Sequence, residues 1–179
     1  MTATAADTTV FAASVLSVAP SNGVLKRLFC GAASAIGLTS MPGMLNSTVG
    51  VGVGGSAGIG IYGGVSIGGG IMAVADQQGN VGIAVNLQGN PGQGVWGIGA
   101  IGGGQLMRSN ASTISDLQGV GPDAGASVGI GDLALGFDFA GSGDTWTGTE
   151  TIGMGLGPVA HSAGANISKT WLPVSVNCN

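Results

Sequence analysis

The chain is expected to fold as an all-β protein: an antiparallel meander of about eight short strands, closed or nearly closed into a barrel, behind a short N-terminal helical segment. Three observations carry this expectation. From Thr48 onward, apolar residues alternate with Gly, Ser, Ala and Asn, the period of a strand. Turn-forming residues separate the alternating runs. Between Arg27 and Arg108 the only formally charged side chain is Asp76. An ordinary globular domain is about a quarter charged. At 7% charged and a mean hydropathy of +0.49, this sheet is expected to turn at least one face to something other than bulk water. The candidates are lipid, another copy of the chain, or a large partner surface.

At 179 residues and 17.1 kDa, the chain is long enough to bury a core. Its 38 glycines lack the Gly-X-Y period of collagen, and interleaving with Val, Ile, Leu and Ala argues against disorder. The net charge is −4, and the basic residues are Lys26, Arg27, Arg108 and Lys169. That excludes nucleic acid as a partner, since nothing is present to neutralise a run of phosphates.

Nearly all the glycines lie between Gly50 and Gly164, so composition changes near residue 45. The division expected is an N-terminal helical segment, 1–45, and a glycine-rich barrel domain, 46–179. Within the first, Ser21 suits a helix N-cap and Gly37 a stop. Val24, Leu25, Leu28, Phe29 and Ala32 make an amphipathic stripe from which Lys26 and Arg27 are absent. The segment Val10–Ala19 has the length of a signal h-region, but the residues before it are acidic rather than basic. A location outside the cell or in a target-cell membrane, reached without a recognisable signal peptide, is the expectation.

The alternating runs follow in order. Val49, Val51 and Val53 alternate with glycine, as do Ala57, Ile59 and Ile61. Val81, Ile83, Val85 and Leu87 alternate with Gly82, Ala84, Asn86 and Gln88, and Trp96, Ile98 and Ala100 with Gly97 and Gly99. Ala126, Val128 and Ile130 are followed by Leu133, Leu135, Phe137 and Phe139, with Ala134, Gly136 and Asp138 opposite. Ile152, Met154 and Leu156 come next, and Ala163, Ala165 and Ile167 close the series. Turns are expected at Asp76–Asn80, Gly89–Gly92 and Gly141–Asp144. A flat sheet of this composition would leave two adhesive edges, so closure is the physical solution.

A repeated glycine face weakens a strand unless close approach or tight curvature requires it. Two arrangements satisfy that requirement. Gly, Ser and Ala can line a narrow interior while Ile83, Val85, Ile98 and Val128 face outward, the pattern of a membrane barrel. Alternatively the apolar side chains fill the interior and leave a bare, self-associating exterior. The scarcity of charge favours the first.

Chemistry-bearing groups are few. His161 lacks a nucleophile elbow or metal-ligand spacing and reads as a turn histidine. Asp132, Asp138, Asp144 and Glu150 fit no calcium loop and read as solvated loop carboxylates. Cys30 and Cys178 read as unpaired small hydrophobes, although a disulfide between them would enclose most of the chain. No cofactor, metal or catalytic constellation is expected. Tyr62, Trp96, Trp146 and Trp171 are the candidate membrane-interface residues, since Tyr and Trp concentrate at the two rims of membrane barrels.

Asp76-x-x-Gly79-Asn80-x-Gly82, the run Thr113–Gly119 and the glycine-alternating strands around them resemble a glycine-rich β module. That module is found in the tails of bacterial secreted and polymorphic-toxin (RHS-type) proteins. The resemblance covers roughly residues 48–171, implies a bacterial, export-linked context and brings no catalytic residues. The function expected is a non-enzymatic, membrane-active barrel, a small pore-forming toxin or effector whose partner is a lipid membrane. The alternative is a structural or binding protein, either a soluble barrel or a self-associating subunit.

Overall fold

The computed structural model describes residues 23–42, 47–60, 64–90, 95–130, 132–156 and 161–179. Helix α1 (Gly23–Ala35) precedes eight strands. These are β1 (Thr48–Gly60), β2 (Gly64–Ala75), β3 (Asn80–Asn90), β4 (Val95–Ser109), β5 (Gly119–Ile130), β6 (Leu133–Ser142), β7 (Thr145–Leu156) and β8 (His161–Asn177). A short 3-10 helix, Ile114–Leu117, lies between β4 and β5. Every pairing is antiparallel, and neighbours run β4, β1, β2, β3, β8, β5, β6, β7 and back to β4. The ring is closed, so no strand edge is left open along the wall.

The order round the ring departs from a plain meander at β4 and β8. β3 and β4 are not neighbours: β4 returns beside β1, and β8 returns beside β5 in the same way. Each half of the chain is therefore a Greek key, three hairpin-linked strands with a fourth beside the first. Gly89–Gly92 consequently does not close a hairpin, and its last two residues lie outside the described residues. The strands are also longer than expected, from 10 residues in β6 to 17 in β8. Glycine runs such as Gly68–Gly70 and Gly102–Gly104 lie inside strands instead of ending them.

Close approach explains those glycines. Gly103 and Gly153 are cross-strand partners, and a Cβ on either would sit about 2.5 Å from the other's Cα. At the β2–β3 turn a different requirement applies, because Gly79 has φ +81°.

One end of the barrel, here the lower, holds the β2–β3 turn, the β6–β7 turn and the 110–118 crossing from β4 to β5. That crossing drops Ile114 and Leu117 into the barrel, where they pack with Met72, Val74, Ala84, Met107, Ala111 and Leu172. Asp76 anchors it. Its Oδ1 accepts from the backbone N–H groups of Gln78 (2.9 Å) and Asn80 (3.0 Å). Its Oδ2 accepts from Asn80 Nδ2 (2.8 Å) and the Ile114 N–H (2.9 Å). Asp76→Ala would leave these donors without their acceptor and is expected to cost about 3 kcal/mol in a denaturant titration. A loss below about 1 kcal/mol would show that the crossing holds without it.

At the upper end β4 and β8, which stand opposite each other in the ring, pair through Val95–Ser162 and Trp96–His161. The barrel mouth is bridged by that contact.

Helix α1 packs on the outside of the lower end. Ala33 and Leu38 are buried with Val49, Ala75, Val81 and Val176, and Phe29, Cys30 and Cys178 flank them. Gly37, φ +72°, ends the helix as expected, its N–H donating to the Ser34 carbonyl. Ser21 lies outside the described residues. The buried face is not the expected stripe: Val24, Leu28 and Ala32 point to the exterior. Cys30 sets that rotation, because it forms a disulfide with Cys178. The expectation of unpaired cysteines was therefore wrong. Count and spacing could not reveal that the middle of α1 meets the end of β8.

Candidate functional site

The alternation places each strand's two kinds of residue on opposite sides of the wall, and the apolar kind faces out. Val53, Ile59, Val65, Ile67, Ile71, Leu87, Phe137, Phe139, Ile152, Met154 and Ile167 are all exposed. Ile83, Val85 and Val128 are half-buried on the same outer surface, and the Ile98 side chain lies outside the described residues. Arg108, Glu150 and Lys169 are the outward charges on the described strand residues, Arg108 near the lower end and Glu150 and Lys169 about midway along their strands.

The inner face is polar above the apolar plug. Gln105 Nε2 donates to Thr151 Oγ1 at 3.2 Å, and Asn86 Nδ2 to Thr170 Oγ1 at 3.2 Å. Gln88, from β3, reaches across the lumen to Asp138 on β6, with Nε2 to Oδ1 at 3.5 Å. Asp123 and Ser168 are buried on this face as well. Glycine makes room for the long side chains. A Cβ on Gly54 or Gly70 would strike the Gln105 amide, one on Gly125 the Asp138 carboxylate, and one on Gly68 the Gln88 amide. In a barrel of eight strands the interior is just wide enough for side chains to fill. The space left over is small: cavities of about 50 and 20 Å³, the larger bordered by Asn86, Gln105, Asp123, Asp138 and Thr149.

The sequence-derived candidates fall as follows. Trp146 follows the β6–β7 turn, points outward and is 64% exposed. Trp171 is half-buried on the outer face of β8, with the Lys169 ammonium 5.0 Å from its ring centre. Trp146 lies at the lower end and Trp171 about midway along the wall, opposite Val85. Trp96 belongs to β4 at the upper mouth, but its side chain, like that of His161, lies outside the described residues. Tyr62 lies outside them altogether.

The carboxylates are only partly loop groups. Asp132 and Asp144 are exposed next to strand ends, whereas Glu150 is on the outer wall and Asp138 inside the barrel. Reading all four as solvated loop groups was an error for Glu150 and Asp138. Polar residues framed by large apolar ones, Asp138 between Phe137 and Phe139 or Gln88 after Leu87, were the available signal for the interior face.

With this geometry in view, comparison adds no relative: no family model, curated protein or solved structure matches the chain. Among the described residues no group of His, Cys, Asp and Glu side chains is placed to hold a metal ion. No described helix is long and apolar enough to cross a membrane, which bears on helices and not on the barrel.

Proposed function

We propose that the protein is a membrane-embedded β-barrel. The observation that carries this reading is the inverted wall: apolar side chains outside, polar side chains and glycine inside. In water such a wall would expose a large apolar area without compensation, whereas in lipid it is the favourable arrangement. Strand length agrees, since a tilted strand needs about 9–11 residues to cross a bilayer, and the shortest strand here has 10. The disulfide fits an oxidising compartment and hence export.

The toxin or effector function expected from the sequence is retained within this proposal, with one added requirement. The lumen is stoppered by Ile114, Leu117, Met72 and Met107, so permeabilisation requires the 110–118 crossing to leave it or several barrels to assemble. One experiment separates the levels. Purified protein is floated with dye-loaded liposomes: co-flotation supports the membrane barrel, and dye release supports a pore. Protein that stays in the dense fraction at every lipid composition rejects both.

The Greek-key connectivity favours a second reading. Up-and-down order is the rule for membrane barrels, and paired Greek keys are typical of soluble β proteins. Under that reading the apolar wall is covered by copies of the chain, and the protein forms large, lipid-independent assemblies without detergent.

A further inference from the structure

We propose that α1 is an interfacial helix: it lies in the headgroup layer at the lower rim of the barrel and takes anionic lipid headgroups as its ligand. This rests on the membrane reading above and specifies which lipid and which part of the chain. The helix has two apolar faces. Phe29, Cys30 and Ala33 face the barrel, while Val24, Leu28 and Ile36 face away and are 71%, 63% and 55% exposed. At 13 residues α1 is too short to span a bilayer and suited to lie along one. It is also not free to leave, because Cys30 is bonded to Cys178 at the end of β8. Its outer face must therefore be covered where it stands.

Charge identifies the cover. The chain is acidic overall, at −4, yet two of its four basic residues lie on α1 itself and a third, Arg108, is at the lower end of β4. Lys26 and Arg27 are exposed on α1. Arg108, the cross-strand partner of Val49, is exposed at the same end of the wall, although the strands that α1 touches most are β3 and β8. Lys169 stands higher, at mid-height on the outer wall, opposite Leu87 and against Trp171. The exposed carboxylates at this end, Asp116 and Asp144, lie on the barrel's connections, Glu150 lies on β7, and α1 itself carries no acidic residue. Apolar side chains at the acyl boundary, with lysine and arginine reaching to the headgroups, are the pattern of a helix lying on an anionic surface. Two copies meeting through this face would oppose like charges, whereas an anionic leaflet attracts them.

The test uses the full oxidised chain and flotation with two vesicle types, phosphatidylcholine alone and phosphatidylcholine with phosphatidylglycerol. Wild-type protein should bind the anionic vesicles more tightly, and added salt should erase the difference. The pair Lys26→Gln and Arg27→Gln should reduce binding to anionic vesicles by about tenfold and leave neutral binding unchanged. Lys26 also donates to the Asn179 carbonyl at 3.3 Å, so Arg27→Gln alone controls for loss of that bond and should show part of the same effect. Leu28→Ser should weaken binding to both vesicles.

Equal binding to the two vesicle types, or a double variant that keeps the preference, overturns the role of α1 and leaves the membrane barrel standing. Failure of the wild type to float with either type removes the membrane reading itself. A double variant that changes particle mass in lipid-free solution instead of lipid preference assigns the face to a second copy.

Discussion

Ile71→Lys should leave the barrel folded and keep it out of bilayers. Ile71 is 56% exposed near the middle of the outer face of β2 and is paired with Val53 on one side and Val85 on the other. No acidic residue lies opposite it to neutralise a new ammonium. On the lipid face of a barrel, lysine near the midplane costs about 2–4 kcal/mol, which is roughly a 30- to 1,000-fold loss of partitioning. In detergent micelles, where the head of the side chain can reach water, the spectrum and melting of the variant should match the wild type. Val74→Lys is the mirror experiment. Val74 is fully buried in the lower interior with Met72 and Met107, and a charge there should abolish folding in any medium. If Ile71→Lys inserts as well as the wild type, the outer wall does not face lipid at that height. If it unfolds in detergent, the wall is covered by protein and the assembly reading gains.

Why the barrel was legible and its wiring was not can be argued from particular residues. Alternation of Val81, Ile83, Val85 and Leu87 with Gly82, Ala84, Asn86 and Gln88 specifies a strand and its two faces, because side chains of successive residues point to opposite sides. Asp76–Asn80 and Gly141–Asp144 specify reversals, because their glycines, Gly79 and Gly143, adopt positive φ. Neither signal says which distant strand a fourth strand will meet. β4 finds β1 through Gly54–Gly103 and Gly55–Gly102, contacts between residues with no side chain to mark them in the sequence. The same blankness hid the strand lengths, since a run such as Gly68–Gly70 reads as a break until its neighbours show that it faces Gln88 and Gln105.

The polar interior was half legible. Asp138 and Gln88 stood at inward positions of the alternation, but their meeting joins β3 to β6 across the lumen, a pairing that no local pattern encodes. The helix failed for another reason. Its stripe was inferred from periodicity alone, and the face that packs was selected instead by one covalent bond and a small apolar patch at the strand ends.

Replacing both cysteines, Cys30→Ser with Cys178→Ser, should lower stability more than any single polar substitution on the wall. The bond joins residues 148 apart, and by chain entropy a loop of that size contributes about 5 kcal/mol. For a chain of this length that corresponds to a fall in Tm of roughly 10–20 °C. The loss should not be spread evenly. The barrel is closed by eight strand pairings in which neither cysteine takes part. Helix α1, by contrast, meets the barrel through Ala33, Leu38 and their few partners, and its own hydrogen bonds could not hold an isolated helix of 13 residues in water. Reduction should therefore free α1 first: limited proteolysis should cut within 23–42 while a protected barrel fragment remains. Detached, the helix would uncover Val49, Ala75, Val81 and Val176, adding fresh apolar surface to a wall that carries few charges. The reduced protein should accordingly aggregate sooner in the absence of lipid. A reduced protein that keeps both its melting temperature and its protease resistance would show that packing alone holds α1. The disulfide would then record the compartment of folding and contribute little to the clamp.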